Sequence, residues 1–229
     1  MPALITLLAC ALFVRLGMWQ WQRGSERERE WQRFAHGAEE LQTPGAGPLS
    51  AVPTYQRVRL TGVLDGSRQF LLDNRAYRGR AGYEVLTPLA RAGSLAILID
   101  RGWVPFSGSR ALLPQVPLPS GTAAVSLAGR LAPLPSAGLA LGHAPPAGEW
   151  PKVTSFPSMA ELSQALGQPL EPRIVLLDAG EPLGYARDWQ PPGIPPLRHF
   201  AYAIQWWAFA VTALVIWALM ARRRTRRVA

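Results

Sequence analysis

An uncharged run of 22 residues, FAYAIQWWAFAVTALVIWALMA at 200–221, leaves its segment one practical conformation. In hydrocarbon every backbone N–H and C=O must find its partner inside the segment, so the run is a helix. As a helix it is about 33 Å long, close to the thickness of a bilayer core. Trp206, Trp207 and Trp217 stand towards its ends, where indole rings favour the interface. Arg222, Arg223, Arg224, Arg226 and Arg227 follow at once. By the positive-inside rule this basic tail, 222–229, faces the cytoplasm.

A second apolar run opens the chain, and residues 1–22 read as the first transmembrane helix, with 199–221 as the second. Between Ala3 and Trp21 its strongly polar members are Arg15 and Gln20, and Arg15 can snorkel to the headgroups. The start, Met1-Pro2-Ala3, lacks the basic residues of a cleaved leader, so this anchor is expected to be retained. Two spans place both termini in the cytoplasm and everything between them outside it. Residues 23–43 begin RGSERERE, whose Glu and Arg side chains pair at i,i+3 and i,i+4. They predict a charged helical extension that PGAGP at 44–48 ends.

Residues 44–198 are rich in turn formers; the whole chain holds 22 prolines and 21 glycines, against a long helical bundle. Strand-like segments lie at 56–60, 69–72, 83–87, 95–99, 123–131 and 174–177, with LAILI at 95–99 the expected central buried strand. Ser158 and Glu161 form a capping box ahead of a short helix that Gly167 stops. Residues 132–151 and 189–196 read as Pro-rich loops. The expected fold is a membrane protein whose two transmembrane α-helices flank an α+β, β-rich, small barrel-like extracytoplasmic domain.

The formal charge of +9 owes five units to the tail, and no helix-turn-helix, zinc-finger or RNA-binding signature accompanies it. Nucleic acid is therefore excluded as a partner, and the lipid bilayer accounts for the basic tail. The single cysteine, Cys10, rules out disulfides within the chain and cysteine clusters for metals. No Gly-x-Ser-x-Gly elbow, phosphate-binding glycine loop or His-Glu-x-x-His is present, so the chain does not read as an enzyme.

One constellation is more specific. His199 opens the second span, and on a helix Tyr202 and Trp206 share its face, with Arg198 adjacent. A neutral imidazole beside flat rings and a cation can ligate haem iron while the arginine pairs a propionate. The plainer reading is that His199 anchors the helix among the headgroups. Trp19 mirrors the arrangement on the first span. Gln20 and Gln205 could bond across the helix pair, where Gly17 allows close approach.

Four motifs together resemble the Surfeit locus protein 1 family, assembly factors for haem-copper cytochrome c oxidase. They are Leu16-Gly17-Met18-Trp19-Gln20 followed by Arg23, then Tyr55-x-Arg57-Val58-Arg59-Leu60-Thr61-Gly62. Next comes Gly82-Tyr83-Glu84-Val85-Leu86-Thr87-Pro88-Leu89 leading to Asp100-Arg101-Gly102-Trp103-Val104-Pro105. Last is His199-Phe200-Ala201-Tyr202-Ala203-Ile204-Gln205-Trp206. They occur in the family's order and span almost the whole chain.

The resemblance implies a multi-pass protein of the bacterial plasma (inner) membrane with its central domain in the periplasm. It implies an assembly chaperone that assists delivery or retention of haem a while the haem-bearing oxidase subunit matures. That subunit is the implied partner, together with the enzymes of haem a synthesis. By position in the motifs, His199 is the implied ligand of haem iron, and Trp19 and Arg101 are further candidate haem contacts; Arg198, Tyr202 and Trp206 are candidates by their place beside His199 on the helix. Two other readings stand beside it: a scaffold that binds only the oxidase subunit, and a membrane-anchored extracytoplasmic hydrolase or sensor.

Overall fold

The computed structural model describes residues 2–37, 39–118, 124–135, 142–191 and 193–226, with side chains from residue 3 to residue 223 of these. The chain divides into two compact units, one of residues 1–32 with 191–229 and one of residues 33–190.

The first unit holds most of α1 (Pro2–His36) and all of α3 (Pro196–Arg226). Both are long and apolar enough to cross a membrane. The charged stretch after Gln22 is continuous with the apolar one, and Arg23–Glu26 and Arg27–Glu30 pair at i,i+3 along it, 3.0 and 2.6 Å apart. The helix ends at His36, earlier than PGAGP. Gly37 closes it by donating to the Arg33 carbonyl, and a Cβ on Gly37 would stand 2.3 Å from the Tyr55 carbonyl oxygen.

Among the described residues, the second unit is one nine-stranded sheet carrying a helix. Its strands are β1 (Leu41–Gln42), β2 (Arg57–Leu64), β3 (Phe70–Tyr77), β4 (Arg80–Ala90), β5 (Ala96–Pro105), β6 (Val125–Ala132), β7 (Ala144–Ala147), β8 (Lys152–Ser155) and β9 (Leu170–Leu177). The order is β1-β2-β6-β9-β5-β4-β3-β8-β7, and β2 also pairs with β4. That last pairing, Val63 with Ala90 and Leu64 with Leu89, closes β2, β6, β9, β5 and β4 into a small barrel. Closure needs backbones to touch: a Cβ on Gly62 would lie 2.3 Å from the Ala90 carbonyl oxygen.

Strict alternation fills the barrel. Val58, Leu60 and Leu64 of β2 meet Leu127 and Leu131 of β6, Val175 and Leu177 of β9, and Ile97 and Ile99 of β5. The opposite face of the wall, with Leu72, Leu86, Leu98 and Ile174, is covered by α2 (Met159–Leu166) through Leu162 and Leu166. Ser158 caps α2 with both bonds of the capping box, and Gly167 ends it in the left-handed conformation, φ 73°. Of the segment expected at 95–99, Leu95 is exposed and precedes the strand, while Ala96 to Ile99 are buried in β5, between β9 and β4.

One expectation needs correction, and one strand was not foreseen. The stretch 132–151 is not all loop: Ala144–Ala147 forms β7, although its sequence, APPA, breaks strand propensity. It is an edge strand held by β8, the position in a sheet that tolerates proline. β8, in turn, runs parallel to β3 and had no alternation to announce it. Residues 119–123 and 136–141, which include the start of the segment expected at 123–131, lie outside the described residues.

Candidate functional site

α1 and α3 pack antiparallel, and a seven-residue spacing of small side chains sets the seam. Gly17 and Gly24 are buried on α1, and Pro196, Ala203 and Ala210 on α3. Cys10 faces the Ala210 carbonyl, with Sγ 3.5 Å from the oxygen. Large rings fill the grooves the small residues leave. Trp207 lies on Gly17 and Phe200 on Gly24, where a Cβ would stand 2.2 and 2.7 Å from ring atoms. Trp21 bridges the two rings, 4.8 Å from Phe200 and 5.7 Å from Trp207 between centroids. Contacts of this kind supply the dispersion energy that holds helices together where no hydrophobic effect operates between them.

Within this seam His199 meets Gln20. The imidazole Nδ1 lies 2.9 Å from the Gln20 amide oxygen, a bond between groups 179 positions apart in the chain. An amide oxygen only accepts, so Nδ1 is the nitrogen that donates to it, and in the neutral ring Nε2 is the nitrogen left with a lone pair. His199 itself is half-buried. The arrangement fixes both tautomer and ring plane, which is how proteins prepare a histidine to ligate a metal through its other nitrogen.

The remaining candidates separate into groups. Trp19 and Tyr202 are 50% and 53% exposed on the surface of the helix pair, and Arg198 is exposed beside His199. Trp206 is turned into the pair, stacked on Phe13 at 5.8 Å with its edge to Phe209. Gln205 is exposed, so the bond across the helices runs from Gln20 to His199 and not to Gln205.

Arg101 belongs to the barrel unit and is not a free cation there. It is 2% exposed, and its guanidinium donates to the carbonyls of Leu183, Val116 and Pro117, to Gln69 Oε1 and to the Tyr185 hydroxyl. It also lies 4.8 Å from the Tyr185 ring centroid. The same Gln69 accepts from Thr87, so Arg101 ties β5 to β3, β4 and the segments at 116–117 and 183–185. Burial lowers its pKa, but an arginine remains charged.

Sequence reasoning placed His199 and Trp19 at the helix mouths but missed the acceptor that orients the histidine and the rings Phe13, Trp21, Phe200 and Trp207. The signal was present as the seven-residue repeat Cys10, Gly17, Gly24 on one helix and Pro196, Ala203, Ala210 on the other.

The SURF1 family profile matches residues 7–211, from within the first helix to within the last, and the chain belongs to that family. No curated protein matches the chain.

Proposed function

We propose that this SURF1 family member is a membrane-anchored assembly factor for haem-copper cytochrome c oxidase that holds haem a at the mouths of α1 and α3 and passes it to the haem-bearing subunit. Membership of a family of oxidase assembly factors supports the first half of that reading. The hydrogen bond from His199 Nδ1 to Gln20 supports the second, because it orients the ring and leaves Nε2 as the nitrogen available to a metal.

The residues present fit the group. His199 would supply the axial nitrogen, and the exposed Arg198 beside it would pair a propionate. Tyr202, one turn on, and Trp19, next to Gln20, present exposed rings against which a flat macrocycle can lie. Haem supplies the redox and oxygen chemistry of the finished oxidase; this chain's task is to bind, orient and release it. A half-open site with a single axial nitrogen suits a carrier, because tight enclosure would block transfer. On this reading the protein is not an enzyme. Both termini face the cytoplasm, the β unit stands in the periplasm, and the enzymes of haem a synthesis act immediately upstream.

The test is an absorbance spectrum of detergent-purified protein co-expressed with the haem a pathway. A Soret band that His199→Ala strongly reduces supports the assignment, and an unchanged band removes His199 from the site. A second reading, a scaffold that binds only the oxidase subunit, draws on the fact that Trp206 and Arg101 already have partners within their own units. It predicts co-purification of the subunit with no Soret band at all.

A further inference from the structure

Arg75, Glu84 and Asp100 form a buried charged cluster on adjoining strands, which the haem-handling reading does not use. Asp100 on β5 is fully buried: its Oδ1 accepts the Gly102 N–H at 3.0 Å, and its Oδ2 has no hydrogen-bond partner. On β4, Glu84 Oε2 lies 3.0 Å from Arg75 Nε of β3, with both side chains about four-fifths covered. The contact is off-line for a hydrogen bond, and Arg75 Nη2 is likewise buried without a partner.

The backbone is irregular around this cluster. The β3–β4 ladder shifts register between Leu72 and Arg75, and the β4–β5 ladder between Glu84 and Leu86. Asn74 and Phe156 hold positive φ of 61° and 49°, and the Phe156 ring lies 5.4 Å beneath the Arg75 guanidinium. Such irregularities re-aim side chains at the cost of regular pairing, and they are retained where a site needs them.

We propose that Glu84 and Asp100 hold one proton between them beneath Arg75, and that losing it loosens β4 from β3 and β5, making this part of the sheet a pH-sensitive element. Charge balance is the reason. One guanidinium offsets one carboxylate; a second carboxylate without water or counter-charge is prohibitively costly in the interior. Glu84 and Arg75 are the charged side chains that act on Asp100. Arg187, on the segment packed against Gly102, turns its guanidinium to the carbonyls of Asp178, Ala179, Glu181 and Tyr185. Arg101, next in the chain, is spent on Leu183, Gln69 and Val116.

Burial pushes the Asp100 carboxyl well above its usual range, with Glu84 adding to the effect, and burial raises Glu84 against the pull of Arg75. A carboxyl whose folded pKa exceeds its unfolded value stabilises the fold in acid, and that contribution is lost as pH rises through the folded value.

The test uses full-length protein in detergent, with infrared spectra and thermal unfolding from about pH 5 to about pH 9. The wild type shows the carbonyl stretch of a protonated carboxylic acid at neutral pH, and its midpoint falls by roughly 3 °C per pH unit where the proton is lost. Asp100→Asn, neutral and of the same shape, removes both the band and the decline. Glu84→Gln leaves Asp100 as the one carboxylate to offset Arg75, so the midpoint falls less at the alkaline end than in the wild type. The proposal is overturned by a wild type without the band, by an Asp100→Asn chain that declines as before or fails to fold, or by a Glu84→Gln chain whose alkaline decline equals that of the wild type.

Discussion

The indole of Trp207 lies against Gly17 so closely that a Cβ on residue 17 would stand 2.2 Å from its Nε1. The contact sets the spacing of α1 and α3 at the level where Gln20 reaches His199. Gly17→Leu therefore forces the ring out and parts the helices. Oxidative cross-linking reads this: Cys10 forms a disulfide with an introduced thiol in the Ala210→Cys variant, and adding Gly17→Leu cuts the yield several-fold. An undiminished yield would mean that the seam does not depend on this contact.

Gln20→Leu keeps the helix and removes only the acceptor for His199 Nδ1. If His199 carries haem, the variant retains the Soret band but binds about 10- to 100-fold more weakly in titration. Equal affinity would show that the ring needs no orienting partner.

Arg101 separates a structural role from a ligand role. Arg101→Ala leaves Gln69 and three backbone carbonyls facing a void, and is expected to lower stability by about 3 kcal/mol or more. Arg101→Lys retains the charge without the planar fork and recovers only part of the loss. Chemical denaturation measures both. The haem spectrum of the folded Lys variant should match the wild type, and a changed spectrum would bring Arg101 back among the haem contacts.

Gly62→Ala introduces a methyl 2.3 Å from the Ala90 carbonyl oxygen, where the barrel closes. The expected cost is about 1–3 kcal/mol, from strain at the β2–β4 pairing. Gly45, with nothing within 4 Å of its added Cβ, is the control, and Gly45→Ala should stay within about 0.5 kcal/mol.

The cap of α2 predicts an acid limb of opposite sign to that of Asp100. The Ser158 backbone and hydroxyl, with His143 behind them, lower the Glu161 pKa from 4.5 to about 2. A depressed carboxyl stabilises the fold above its unfolded value, and the contribution fades as pH falls towards 2. Ser158→Ala should therefore lower the unfolding midpoint at neutral pH, with the difference from wild type shrinking in acid. A gap that stays constant down to that pH would place the effect elsewhere.

Both terminal helices were legible because their signal is local. Length, absence of charge and the requirement for internal backbone bonding decide a helix one segment at a time. The capping box at Ser158 was legible for the same reason. Arg57 and Arg59 interrupt the apolar string of β2, yet its inward positions alternate strictly. The flanking arginines point outward and pair with Asp178 and Glu181, partners more than 100 residues away. β7 and β8 were missed because four-residue strands are decided by their neighbours and not by their own pattern.

From its own residues the chain specified two apolar helices, a β-rich middle, a capped short helix and a histidine at the head of the last helix. Each follows from interactions within a few positions of the chain and from the lipid or water that surrounds the segment. Tertiary structure alone decided that β2 returns to β4 to shut the barrel, that Gln20 orients His199, that Arg101 is consumed inside the wall, and that Asp100 meets Glu84 and Arg75. Those outcomes depend on which distant groups are brought within a few ångströms, and short-range packing, hydrogen bonding and charge act only after the fold has made the approach.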